Sequence, residues 1–168
     1  AAGIFYTAGP RPLGYLGLGE VFVLIFFGPV AVAGTYYAQS FEVHLAVILS
    51  GVAAGLFSAA ILAVNNLRDI PTDRAAGKRT LAVRFGQSFA RREYYLLIML
   101  GSLTPVVIYA LIHDHLRILW ASGTCVLALP CVQTVFQSED GPSLNRALAQ
   151  TGFLLMTYSL IFAIGWIS

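Results

Sequence analysis

Charged side chains are scarce in this sequence: they make up only 11% of its 168 residues, whereas hydrophobic residues make up 58%. A soluble domain usually carries about 25% charged residues, so the composition excludes an ordinary water-soluble fold. A single core of this length could not hide so much apolar surface from water, whereas lipid is a suitable solvent for it. We therefore predict an integral membrane protein.

Cysteine, histidine and net charge are also low. The two cysteines, Cys125 and Cys131, lie in one apolar run, and they are too few for a disulfide framework or a zinc site. His113 and His115 flank Asp114 in a short connection and would need further ligands to bind a metal. The net charge is only +2, with Lys and Arg concentrated in one loop, which argues against nucleic-acid binding.

Five apolar runs dominate the chain, and each is near the ~20 residues that cross a bilayer as a helix. They are Val21–Tyr37, Val43–Val64, Tyr95–Ile112, Leu116–Phe136 and Ala147–Ile167. Because the runs are continuously apolar rather than alternating, they predict helices and not barrel strands. The predicted fold is an all-α, polytopic membrane helix bundle, with residues 1–168 forming a single transmembrane domain.

Small residues and prolines within the runs predict local features. Gly51, Gly55 and Ala59 form a small-xxx-small stripe, which indicates close helix packing. The alternative is that these small side chains leave room for an isoprenoid chain. We expect kinks at three prolines inside the runs, Pro29, Pro105 and Pro130.

Basic residues predict the topology. When the spans alternate across the bilayer, every Lys and Arg except Arg117 falls on one side, and most lie in the loop after the second run. By the positive-inside rule that side is cytoplasmic. We therefore predict a multi-pass protein of the inner or plasma membrane with this loop in the cytoplasm. We interpret Arg91 and Arg92 as residues that only set this topology.

The same loop carries the candidate chemistry, and its core reads NNLRDIPTDRAAGKRTLAVRFG from Asn65 to Gly86. Asn65, Asp69 and Asp73 recur at i, i+4 and i+8, which places them on one helix face with a drift of about 40° per step. Pro71 disfavours helix at the residue before it but is tolerated in the first turn of a new helix. We expect Asp69 to end one helix and Asp73 to lie in the following turn, with both facing one cavity.

These residue types suit the binding of a metal and a diphosphate. Carboxylates and a carboxamide are hard oxygen ligands for Mg²⁺, which binds proteins through one or two carboxylates plus phosphate oxygens. The predicted metal ligands are Asp69, Asp73 and Asn65. Arginine would hold the rest of a diphosphate as a bidentate fork, and lysine would hold it as a point charge. The predicted diphosphate contacts are Arg68, Lys78 and Arg84. The alternative is a solvated loop whose charges have no role beyond topology.

The stretch Asn65–Gly86 resembles the second aspartate-rich motif of the UbiA superfamily of intramembrane aromatic prenyltransferases. The segment YTAGPRPLGYLGLGE, residues 6–20, is similar to one in the superfamily's menaquinone branch. The resemblance covers essentially the whole chain, with the two motifs in the right order. It implies Mg²⁺-dependent transfer of a polyprenyl group from polyprenyl diphosphate to 1,4-dihydroxy-2-naphthoate, giving demethylmenaquinone with loss of CO₂.

The resemblance also implies nine transmembrane helices, with aspartate-rich motifs after the second and the sixth. The five runs would then be helices five to nine, so we expect a C-terminal part that is inactive without helices one to four. Asp69, Asp73 and Lys78 would carry the catalysis. Tyr6 and Arg11 would face the aromatic acid. Glu20 and Glu42 stand isolated in the sequence and supply no second carboxylate cluster.

Two other functions remain open at this point. A different branch of the same superfamily would act on another aromatic acceptor, such as 4-hydroxybenzoate or homogentisate. Outside enzymes, the chain would be a fragment of a membrane transporter. A transporter would be expected to carry ionisable residues in the middle of its spans, whereas the acids here lie near the ends of the apolar runs.

Overall fold

A computed structural model describes residues 17–168 of the chain. Five of its helices are long and apolar enough to cross a membrane, and we refer to them in order as the first to the fifth span. They are Gly19–Ser40, Leu45–Arg68, Gln87–Ile112, Leu116–Gln137 and Gly141–Ile167. No strand occurs in this part of the chain. The prediction of an all-α bundle with five membrane spans is confirmed.

Proline interrupts two of the spans. In the first, Phe26–Val30 forms a π-helical turn around Pro29, and Gly28 has non-helical dihedral angles of φ −103° and ψ −112°. A proline cannot donate to the preceding turn and collides with it, which explains the local break. The fourth span starts as a 3₁₀ helix and is interrupted at Ala128, just before Pro130. The third span runs as one continuous helix through Pro105.

Glycine allows the first two spans to touch through their backbones. A Cβ atom added at Gly51 would lie 2.8 Å from Cα of Pro29, and one added at Gly28 would lie 2.7 Å from the carbonyl oxygen of Gly51. A Cβ atom at Gly55 would overlap the carbonyl oxygen of Leu24. The stripe therefore serves close helix packing, and the space beside these glycines is filled by the first span.

The second span lies at the centre of the bundle, since half of its most apolar window is buried, the largest share among the five spans. Its Phe57 is fully buried and packs on Tyr158 of the fifth span, with 4.9 Å between ring centroids. Tyr94 of the third span is bonded through its hydroxyl to Thr151 of the fifth span at 2.9 Å. These contacts hold the second, third and fifth spans as one packed unit.

Arg91 has a structural role that its sequence position did not indicate. Its Nε donates to the carbonyl oxygen of Val135 at 3.0 Å, and its NH2 group donates to that of Ser138 at 3.0 Å. These carbonyls belong to the end of the fourth span, where no further helical turn can satisfy them. Arg91 thus caps this helix, whereas its neighbour Arg92 is exposed.

The ends of the spans alternate as the topology prediction requires. Arg117, at the start of the fourth span, donates to the carbonyl oxygen of Ser168 at the end of the fifth, over 3.1 Å. These two residues therefore lie together at one end of the bundle. Arg91 and the loop that follows the second span lie at the other end, where the fourth span finishes and the fifth begins.

The glycine contact predicts a position-specific cost. We expect Gly55→Ala to lower the free energy of unfolding by about 1–3 kcal/mol, because the added methyl group must push the first span away. Gly34→Ala is the matched control, since a Cβ atom there meets nothing within 4 Å. Equilibrium unfolding in detergent by titrated SDS measures both. Equal stability of the two variants would contradict the packing described here.

Candidate active site at the end of the second span

The chain passes from the second span into the candidate site without losing its helical register. The second span ends at Arg68, Asp69 follows it with φ −93° and ψ 8°, and Pro71 lies in the first turn of the short helix Ile70–Ala75. The backbone N–H of Asp69 donates to the carbonyl oxygen of Asn65 at 3.0 Å, and that of Asp73 donates to the carbonyl oxygen of Asp69 at 2.8 Å. The predicted helix boundary is confirmed.

Arg68 is the centre of the polar cluster. Its Nε donates to Oδ1 of Asp69 and its NH2 group donates to Oδ2, both at 2.7 Å, which is the bidentate pairing that arginine and carboxylate favour. The NH2 group also donates to Oδ1 of Asn65 at 2.8 Å. The NH1 group donates to Oδ1 of Asn145 at the start of the fifth span. One guanidinium therefore joins two predicted metal ligands to a second helix.

Asp73 forms the second ion pair of the site. Its side chain is only 8% exposed, and its Oδ1 accepts from Nζ of Lys78 at 2.8 Å. The backbone N–H of Lys78 donates to the carbonyl oxygen of Asp73 at 2.9 Å, which closes the turn between them. Gly77 occupies this turn with φ +72°, a conformation that residues with a side chain rarely adopt.

The loop beyond Lys78 is anchored to the bundle. Thr80 is buried, and its hydroxyl oxygen accepts from the backbone N–H of Val83, which caps the short helix Leu81–Phe85. Gly17 packs against this loop with φ +76°, and a Cβ atom there would lie 2.7 Å from the carbonyl oxygen of Arg79. Gly17, just before the first span, therefore lies directly on the loop that carries the site.

The remaining predicted diphosphate contact, Arg84, lies apart from this cluster. Arg84 is exposed, and its guanidinium carbon lies 5.7 Å from the centroid of the Phe85 ring. Among the described residues it makes no hydrogen bond to Asp69 or Asp73. Tyr6 and Arg11 lie outside the described residues.

Sequence reasoning missed three residues that support the cluster. Glu20 is only 6% exposed, and its Oε1 accepts from Nδ2 of Asn66 at 2.6 Å, so it is not isolated. Asn145 was missed because 77 positions separate it from Arg68. A signal was available for Asn66, since a carboxamide on a buried helix face must find a hydrogen-bond partner. No local pattern identified the partner.

The donor set fits a hard cation such as Mg²⁺ in part. The carboxylate of Asp69 and the carboxamide oxygen of Asn65 meet at one guanidinium, so both lie within reach of a common positive centre. Oxygen ligands of this type are those that Mg²⁺ prefers. Within residues 17–168 no group of three or more His, Cys, Asp or Glu is placed to hold a metal ion. These residues therefore offer part of a coordination sphere.

Comparison with known proteins assigns the chain to a family. The sequence profile of the UbiA prenyltransferase family matches residues 1–166. The chain belongs to this family. As a UbiA-family chain with five apolar helices of sufficient length, it is a multi-pass membrane protein.

Three curated relatives are each described as a 1,4-dihydroxy-2-naphthoate octaprenyltransferase. The proteins of Haemophilus influenzae and Escherichia coli are 37% and 39% identical over 168 residues, which cover 98% of this chain. The protein of Mycobacterium tuberculosis is 41% identical over 159 residues, or 94% of the chain. The chain spans 53% of the length of each of these UbiA relatives.

The contacts of Arg68 predict that its replacement by lysine destabilises the protein. We expect Arg68→Lys to lower the free energy of unfolding by about 1–3 kcal/mol, because an ammonium group cannot bridge Asp69, Asn65 and Asn145 together. Arg74→Lys, at an exposed position of the same loop, should change it by less than about 0.5 kcal/mol. SDS unfolding in detergent measures both. An Arg68→Lys protein as stable as the unmodified protein would show that the bonds from the guanidinium of Arg68 are not needed for stability.

Proposed function

We propose that this chain supplies one half of the active site of an Mg²⁺-dependent prenyltransferase, which transfers a polyprenyl group from polyprenyl diphosphate to 1,4-dihydroxy-2-naphthoate. The observation that carries the proposal is the joining of Asn65, Asp69 and Asn145 by Arg68 at the end of an apolar helix. A polar cluster beside a lipid-embedded bundle suits a substrate with a charged head and an apolar tail. Membership of the UbiA prenyltransferase family supports the reaction class.

In this proposal Asp69 and Asp73 hold Mg²⁺, with Asn65 assisting. Their oxygen donors, and the placement of Asp69 and Asn65 around one positive centre, support the assignment. When bound, the ion would neutralise charge on the diphosphate and so favour its departure.

The cationic side chains have two tasks in this proposal. Arg68 and Lys78 orient the carboxylates of Asp69 and Asp73 through short ion pairs. They also place positive charge where the diphosphate leaves, and such preorganised charge is usually the largest contribution to catalysis. Arg84, which is exposed on the same loop, would extend this positive surface towards the diphosphate.

The names of the three relatives support the choice of the aromatic acceptor. All three are named for transfer to 1,4-dihydroxy-2-naphthoate. In the proposed step the C–O bond between the prenyl C1 and the diphosphate breaks, and a ring carbon of the acceptor forms the new C–C bond. When that carbon is the one that bears the carboxylate, the carboxylate leaves as CO₂, its electron pair restores the aromatic ring, and the product is the quinol form of demethylmenaquinone. The apolar bundle excludes water from the allylic cation. Tyr6 and Arg11 would contact the aromatic acid.

We also propose that further metal ligands come from the part of the relatives' length that this chain does not span. Within the described residues no group of three or more His, Cys, Asp or Glu is placed to hold a metal ion, so Asp69, Asp73 and Asn65 would fill only part of the octahedral shell that Mg²⁺ demands. The unspanned part would correspond to helices one to four of a nine-helix bundle. The bias of basic residues towards the site supports a cytoplasmic loop in an inner or plasma membrane.

The function is tested with the protein expressed together with any coding sequence that flanks this chain, purified and reconstituted in lipid vesicles. With octaprenyl diphosphate, 1,4-dihydroxy-2-naphthoate and Mg²⁺, we expect demethylmenaquinol, which air oxidises to demethylmenaquinone for detection by mass spectrometry, and no product after chelation by EDTA. Faster prenylation of 4-hydroxybenzoate or homogentisate would overturn the acceptor assignment. Binding of the diphosphate with no product from any acceptor would favour a transporter.

The metal assignment predicts a severe loss in two conservative variants. We expect Asp69→Asn and Asp73→Asn each to reduce kcat/KM by roughly 10³-fold, which corresponds to about 4 kcal/mol of transition-state stabilisation. Asp114→Asn is the control, since Asp114 is an exposed residue at the opposite end of the bundle. Initial rates at saturating Mg²⁺ measure the effect. Near-normal turnover in both aspartate variants would remove these residues from the metal site.

A further inference from the structure

Glu20 is a buried carboxylate that the proposed reaction does not use. It lies in the first turn of the first span, where the helix dipole favours a negative charge. Its Oε1 accepts from Nδ2 of Asn66 at 2.6 Å, across 46 positions of sequence. Within residues 17–168 its Oε2 has no hydrogen-bond partner. Burying a carboxylate with one unpaired oxygen costs folding free energy. We therefore expect Glu20 to have a role that an apolar residue at this position could not fill.

Asn66 connects this carboxylate to the candidate site. It lies in the last turn of the second span, directly after Asn65 and just before the Arg68–Asp69 pair. Neighbouring helical side chains point about 100° apart, so Asn66 faces the first span while Asn65 faces Arg68. A bond that holds Asn66 against the first span therefore fixes the rotation of this last turn about the helix axis. That rotation decides where Asn65 and Asp69 point.

A carboxylate is well suited to this task. It can only accept, so it forces the amide nitrogen of Asn66 towards itself and leaves one orientation of the Asn66 side chain. The bond is anchored in a stiff part of the fold, because the two spans touch through their backbones at Gly28, Gly51 and Gly55.

We propose that Glu20 is a positioning residue, which acts through its hydrogen bond to Asn66 to orient Asn65 and Asp69 for the metal and diphosphate. The inference rests on the proposed function of that site. Glu20 itself touches neither substrate nor metal in this account. Substitution of Glu20 is therefore expected to change the Mg²⁺ dependence of the reaction more than it changes the stability of the fold.

The test compares Glu20→Gln, Glu20→Asp and Glu20→Leu in the protein expressed with any flanking coding sequence. Glutamine keeps an acceptor oxygen at the same distance from the backbone as glutamate does. Aspartate moves the acceptor away from Asn66 by one methylene group, and leucine removes it. We expect the Mg²⁺ concentration for half-maximal transfer to rise about tenfold or more in the Asp and Leu variants, as with other residues that orient metal ligands. In Glu20→Gln it should stay within about twofold of the unmodified protein.

A second readout does not depend on turnover. Binding of Mn²⁺ in the presence of inorganic pyrophosphate, followed by the loss of the free-ion EPR signal, should weaken in the same order. Asn66→Leu should weaken it as Glu20→Leu does, and the double variant should be no worse than either single variant, because both remove one bond. Thermal unfolding in detergent identifies any variant that fails to fold, and in that case the milder Glu20→Asp carries the test.

Glu42→Gln and Glu42→Leu are matched controls at the opposite end of the first span, where Glu42 is exposed and pairs with His44 at 3.0 Å. They should leave both readouts unchanged. The inference is overturned if folded Glu20→Asp and Glu20→Leu keep the Mg²⁺ and Mn²⁺ dependence of the unmodified protein, or if Glu20→Gln is as impaired as Glu20→Leu. Should Asp69→Asn also be without effect, the proposed function fails. An inactive Asp69→Asn beside unaffected Glu20 variants rejects this inference alone.

Discussion

The guanidinium of Arg68 is the group on which the polar end of this bundle depends. It pairs with both carboxylate oxygens of Asp69, and it donates to the carboxamide oxygens of Asn65 and of Asn145 on the fifth span. Without it, the carboxylate of Asp69 and the carboxamides of Asn65 and Asn145 would lie at the ends of two apolar helices with fewer donors than they need. Only arginine has enough donors in one plane to satisfy them together. The geometry of the candidate site is therefore set by one side chain.

The polar cluster lies at the end of the spans because the lipid around their middle is a poor solvent for charge. Charged groups are expensive in the middle of a bilayer, so ion pairs belong at the ends of the spans, where water and lipid head groups reach them. The first two spans approach closely at Gly51 and Gly55. At the end of the bundle that carries the polar cluster, this approach brings Glu20 of the first span against Asn66 of the second. Packing in the apolar region and hydrogen bonding at the polar end thus support each other.

Much of this arrangement could be predicted because it is local. The apolar runs predicted all five spans, since a helix that crosses lipid needs about 20 apolar residues in succession. Pro71 predicted the boundary between Asp69 and Asp73, because its ring restricts the backbone on both sides. Pro29 likewise marks a true break in the first span. The role of Arg91 as a cap of the fourth span could not be predicted, because its partners lie 44 and 47 positions away.

The sequence by itself determined the solvent of this protein, the number of its spans, the spacing of Asn65, Asp69 and Asp73 and its place in the UbiA family. These depend on composition and on neighbours along the chain. Only the tertiary structure decided the side-chain bonds between the spans, which join Arg68 to Asn145 and Asn66 to Glu20. Hydrogen bonds between spans depend on how helices rotate and approach one another, and apolar helices of similar composition can pack in many ways. That choice is made by contacts such as Gly28 on Gly51, which exist only once the spans have met.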